Sequence, residues 1–142
     1  MSVCEGQRKV PDTPANRMFY AIDAAKDLAV YTIQICSNDK VFLPKYNLIN
    51  TMIINTALTI YESGWTANNI LVKTAEDWNT RRNYQKIACA KCNSLLALID
   101  LAKGLYHLRD KRIKFWAKKT IEVRGMLRKW CEADQERYGG LQ

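Results

Sequence analysis

Apolar residues recur at intervals of three and four along most of this chain, and its 6 Gly and 3 Pro are too few to interrupt them. A strand-rich fold of 142 residues needs many tight turns, and tight turns draw on those two residue types. The expected architecture is therefore all-α: an antiparallel, up-down-up-down four-helix bundle with short connections. Helices of about 25 residues, each about 37 Å long, would account for most of the chain.

Residues 1–12 carry no periodic pattern and are expected to form a flexible leader, with 13–142 as the bundle domain. Asp12 or Thr13 is placed to cap the first helix, with Pro14 in the first turn, where a missing N–H is no loss. Its stripe is Met18, Ile22, Ala25, Ala29, Ile33 and Cys36, and Ser37, Asn38 and Asp39 stop it. Pro44 can open the second helix, whose stripe is Leu48 or Ile49, Met52, Ile53, Thr56 and Ile60, with Trp65 a further candidate. Gly64 falls inside it at a cost of about 1 kcal/mol relative to Ala, which close approach of a neighbouring helix would offset.

The third helix starts near Thr74, with Asp77 three residues on as an approximate capping box. It carries Ile87, Ala88, Cys92, Leu95, Leu98, Ile99, Ala102 and Leu105 to about His107. Asp110 is placed to cap the fourth, whose stripe is Ile113, Trp116, Thr120, Val123, Leu127 and Trp130. Gly139 and Gly140 end it. No internal repeat is present.

The cysteines, Cys4, Cys36, Cys89, Cys92 and Cys131, are odd in number, and most fall inside helical patterns. Met1 to Asp12 is polar and lacks the apolar core of a signal peptide. Both features suit a reducing, cytoplasmic setting, where cysteine acts as a small buried hydrophobe. No membrane association is expected: Asp23, Lys26 and Asp27 interrupt the first helix, and Asn50, Thr51 and Asn55 the second.

Catalytic chemistry has little to work with. A di-metal bundle site needs Glu-x-x-His pairs on facing helices, but the one histidine, His107, has no glutamate three residues before it. At a helix C-terminus, it more simply meets free carbonyls. Cys89 and Cys92 form a CxxC in mid-helix, without a second pair for zinc or a strand-to-helix junction for redox work, and read as small packing residues. There is no glycine-rich phosphate loop and no nucleophile triad, and Glu62, Glu76, Asp77 and Asp100 are too dispersed to hold magnesium. The chain is read as a binding protein, not an enzyme, with no cofactor and no small-molecule substrate.

Its net charge of +8, from 22 Lys and Arg against 14 Asp and Glu, favours a polyanionic partner. The fourth helix concentrates it. Lys111, Arg112, Lys114, Lys118, Lys119, Arg124, Arg128 and Lys129 are opposed between 111 and 129 only by Glu122. By helical phase Lys111, Lys114, Lys118 and Lys129 lie opposite the apolar stripe, with Arg124 and Arg128 on a shoulder. Arg81, Arg82 and Lys86 add charge to the third helix, with Trp78 and Tyr84 as possible base-stacking surfaces. The ridge is read as a phosphate-tracking surface; the alternative is a solvated face. Trp116 and Trp130 are core by spacing, while Trp65 and Trp78 fit either core or interface.

Further residues carry a resemblance. Leu43, Pro44 and Lys45, then Thr66, Ala67 and Asn68, then Asp77 and Trp78 with Arg81 and Arg82 form one part of it. Leu95 to Ile99, Lys111, Arg112 and Ile113 with Trp116, Arg128 to Trp130, and Asp134 with Arg137 and Tyr138 form the rest. Over everything but the leader, the chain resembles the accessory variability determinants of diversity-generating retroelements, within the wider family of four-helix-bundle proteins encoded in ribosomal RNA intervening sequences. The resemblance implies a non-catalytic homopentamer that binds a reverse transcriptase and its template RNA or cDNA in support of mutagenic reverse transcription. Arg112, Lys118, Arg124 and Arg128 would lead those contacts, and the surroundings of Gly64 and the aromatic set would meet neighbouring subunits. The alternative within the wider family is a structural or interaction bundle that binds no nucleic acid.

Overall fold

The computed structural model describes residues 14–141, with side chains from residue 20 onward. The leader, the cap at Asp12 or Thr13 and the Met18 side chain lie outside the described residues. Four helices carry the fold: α1 (Pro14–Cys36), α2 (Asn47–Asn68), α3 (Ala75–Leu105) and α4 (Asp110–Tyr138). Pro44 opens a single 3-10 turn, Pro44–Tyr46, that leads into α2. No strand occurs among the described residues.

Each helix packs against two others, α1 and α3 both lying between α2 and α4. Four cross-contacts fix their directions. Gly64, late in α2, faces Ile22, early in α1. Tyr106, just past α3, donates its hydroxyl to Asn50, early in α2. Trp116, early in α4, donates its indole N–H to Thr32, late in α1, at 3.1 Å. Arg81, early in α3, meets Asp134, late in α4. Neighbouring helices therefore run antiparallel, as expected of an all-α four-helix bundle.

Of the expected α4 stripe, Trp116, Thr120, Val123, Leu127 and Trp130 are buried and Ile113 is half-buried against the core. In α3 Ala88, Cys92, Leu95, Ile99 and Ala102 are buried, with Leu98 and Leu105 half-buried beside them. Elsewhere individual residues differ. In α1 the expected Ile22, Ala25, Ala29 and Cys36 are buried together with Ala21, Leu28, Thr32 and Ile35, whereas Ile33 is exposed; one residue beyond Thr32 turns it by about 100°. In α2 the interior takes Asn50, Ile53, Ala57, Ile60, Ser63, Gly64 and Ala67, leaving Leu48, Met52 and Trp65 exposed. Small residues, Ala57, Ser63, Gly64 and Ala67, take much of the inner face there. Ile87 of α3 is likewise outside the core.

At the α3 N-terminus the capping box is complete. Thr74 Oγ1 accepts from the Asp77 N–H at 3.1 Å, and Asp77 Oδ2 accepts from the Thr74 N–H at 3.1 Å. The N–H of Lys73 donates to the same carboxylate, and with Thr74 it lowers the Asp77 pKa. The α4 terminus corrects the expected cap: Arg109, with φ −66° and ψ 139°, takes that position without a side-chain bond, and Asp110 is the first helical residue. α3 stops at Leu105, so His107 lies in the connection. A Cβ built on Gly64 would meet Ile22 Cγ1 at 3.8 Å, an ordinary contact, so close helix approach does not require the glycine.

The two ends of the bundle are closed differently. Where the α1–α2 and α3–α4 connections meet, Phe42 packs at 4.6 Å from the Tyr106 ring and 6.2 Å from that of Trp116, and Tyr46 lies 5.7 Å from Tyr106. The opposite end is closed by charge: Arg81 Nε donates to Asp134 Oδ2 at 2.7 Å.

Candidate nucleic-acid interface

Because the inner stripe of α4 is fixed by the core, its outer face is fixed as well. Lys111, Lys114, Lys118 and Lys129 are exposed on that face, and Arg128 is exposed beside it. Arg112, four residues before Trp116, is exposed at the helix start on the side of the α1–α2 connection. These side chains form the basic ridge. Two of its expected members are partly engaged elsewhere. Arg124 is half-buried and donates through NH1 to Asn93 Oδ1 of α3 at 2.8 Å. Lys119 is half-buried with its ammonium 5.7 Å from the Phe115 ring centroid.

The start of α3 requires a correction. Arg81 is only 7% exposed and is no surface cation. Besides its pairing with Asp134 it donates to the carbonyl of Ile70 at 3.3 Å, and its guanidinium lies 5.4 Å from the Trp130 ring and 5.7 Å from that of Tyr138. Gln85 Nε2 donates to the same Asp134 oxygen at 2.7 Å. Arg81 therefore holds α3, α4 and the α2–α3 connection together. Trp78 is buried beside Tyr138 and offers no base-stacking surface, and Tyr84 is half-buried against the core. Arg82 is half-buried, its guanidinium 5.7 Å from the Trp78 ring, and its Nε has no acceptor among the described residues.

The CxxC lies mid-α3, Cys92 buried and Cys89 half-buried. Burial pushes the Cys92 thiol up to about 12 and raises that of Cys89 as well. Both are held as thiols, whereas metal ligation and disulfide exchange need the thiolate. Among the described residues no group of three or more His, Cys, Asp and Glu side chains is arranged to hold a metal ion. No helix there is long and apolar enough to cross a membrane.

The ridge runs into two cavities at the end where the connections meet. The first, of about 310 Å³, has Val41, Phe42 and Leu108 as an apolar wall and His107, Arg109 and Arg112 as a basic rim. The second, of about 340 Å³, is an open depression lined by the touching rings of Tyr31 and Phe115, with Lys111 and the same Arg109 and Arg112 at its edge. Arg109, Tyr31, Phe42 and Phe115 were not candidates by sequence. The available signal was Phe115 itself: next to a core Trp116 it must point about 100° away, among lysines. Compared with protein-family models, with curated proteins and with solved structures, the chain matches none.

Proposed function

We propose that the protein is a non-catalytic accessory subunit that binds RNA or its cDNA beside a reverse transcriptase, in the manner of the accessory variability determinants its residues resemble. The observation that carries the reading is the ridge: Lys111, Arg112, Lys114, Lys118, Arg128 and Lys129 all exposed along one helix, with Glu122 the one acid between 111 and 129. Each such cation that meets a phosphate displaces a counterion, so binding to a ridge of this kind is steeply dependent on salt.

Fluorescence anisotropy of a labelled structured RNA across a salt series tests it. The wild-type protein is expected to bind at low salt and lose affinity steeply as salt rises. Lys118→Glu with Arg128→Glu and Lys129→Glu is expected to flatten the log–log slope by about 1 for each phosphate no longer neutralised. These side chains are exposed, so the fold is retained. Absence of binding at low salt would sink the nucleic-acid reading and leave a protein-docking face.

Self-association belongs to the same proposal, with a homopentamer as the assembly implied by the resemblance. Gly64 is buried against the chain's own α1, so subunit contact falls instead to exposed aromatics, Trp65 first. Trp65 is 53% exposed, and its ring lies 6.2 Å from that of Tyr61 at a shallow cavity of about 370 Å³. Aromatic side chains of this kind anchor interfaces. Light scattering is expected to give an oligomer that Trp65→Glu dissociates; a wild-type monomer at high concentration would refute it.

A further inference from the structure

We infer that the end of the bundle where the connections meet docks two adjacent unpaired nucleotides, their shared phosphate held between Arg109 and Arg112. The inference rests on the nucleic-acid reading above and assigns the chemistry of one part of that surface.

Arg109 and Arg112 border both cavities, so the two spaces flank a single pair of guanidiniums. Neither arginine has an ion-pair partner among the described residues. Asp110, between them in the chain, is exposed and lines neither cavity. The net charge around the two spaces is therefore positive, and guanidiniums offer the planar, bidentate geometry that suits phosphate. At the first turn of α4 the Arg109 carbonyl accepts from the N–H groups of Arg112 and Ile113, and the Asp110 carboxylate offsets part of the positive helix end, so the phosphate contact falls to the two guanidiniums.

The space beside Phe115 differs from a simple phosphate site in presenting an exposed aromatic ring. Phe115 is 53% exposed although it neighbours the core, and Tyr31 holds it edge-on at 5.2 Å. An exposed, fixed ring bordered by Lys111 and Arg112, with Lys119 over its face, is a stacking platform for a base of any identity. Across the arginines, Val41 and Leu108 line the other space with the exposed His107 at its edge, and Phe42, 1% exposed, lies behind them in the core. Both spaces are open to solvent, so a planar ring can reach them without any opening of the bundle. A base reaches such a site only when unstacked from its neighbours, which a single strand permits and a duplex resists. The ridge would then serve either form of nucleic acid, and the end of the bundle single strands alone.

The test compares a labelled six-nucleotide single-stranded RNA, a blunt RNA duplex and an acidic peptide by anisotropy, with wild type, Phe115→Leu, and Arg109→Ala with Arg112→Ala. Leucine keeps the apolar bulk of Phe115 and removes its ring face. Phe115→Leu is expected to weaken the single strand about 5- to 150-fold, the worth of one base–aromatic stack, and to leave duplex binding within about twofold. The double arginine variant is expected to weaken the single strand more than the duplex. Equal effects of Phe115→Leu on both RNAs, or none on either, would overturn this inference while the ridge reading stands. So would an acidic peptide that binds more tightly than the single strand and is lost in the arginine variant. If neither RNA binds the wild type at low salt, the ridge reading itself fails.

Discussion

Asp134→Ala is expected to destabilise the bundle by about 3–5 kcal/mol, the range for breaking a buried ion pair from one side. The carboxylate is fully buried and accepts from both Arg81 Nε and Gln85 Nε2 at 2.7 Å. Without it, Arg81 keeps its charge in a site walled by Trp130 and Tyr138, with only the carbonyl of Ile70 to accept from it. Removing both charges is different in sign: Arg81→Met with Asp134→Leu is expected to recover most of the loss, because no uncompensated charge remains. Urea denaturation of both variants measures the difference. A loss below about 1 kcal/mol for Asp134→Ala would mean that Arg81 swings out to water, and would restore it as a surface cation.

Trp116→Ala is expected to cost a similar amount, about 3–5 kcal/mol, for a different reason. Trp116 is fully buried at the opposite end, T-shaped to Phe42 at 6.2 Å and bonded through Nε1 to Thr32 at 3.1 Å. Deletion of the indole removes the largest packing unit of that end and opens a cavity that Phe42 and Thr32 can only partly fill. Trp116→Phe keeps most of the volume and loses the hydrogen bond, and is expected to lose about 1–2 kcal/mol. Thermal and urea unfolding of the pair check the order; an Ala variant no worse than the Phe variant would show that the bond, and not the packing, matters.

How far the sequence could be read depended on whether independent signals agreed. At α3, Thr74 and Asp77 mark the start, and the apolar stripe marks the buried face from Ala88 to Ala102, with Ile87 outside it. On α4 one stripe of large residues set the phase, and the exposed lysines followed from it by geometry alone. On α2 the signals diverged. Residue type favoured Leu48, Met52 and Trp65, while the space between α1 and α3 admits Ala57, Ser63 and Gly64. Hydrophobicity does not carry the phase of a helix whose inner face is made of small residues. Arg81 could not be read at all, because its partner lies 53 residues away and a charge counts as exposed until its counter-ion is known.

The first residue of α1 and the last of α4 belong to the end closed by Arg81 and Asp134, while Phe42, His107 and the two cavities occupy the other. α4 alone separates them by about 43 Å at 1.5 Å per residue. A tether attached at either of those helix ends therefore leaves the cavities facing outward at the full reach of the bundle. A label or fused domain placed at that end leaves the far end, with its two cavities, unobstructed.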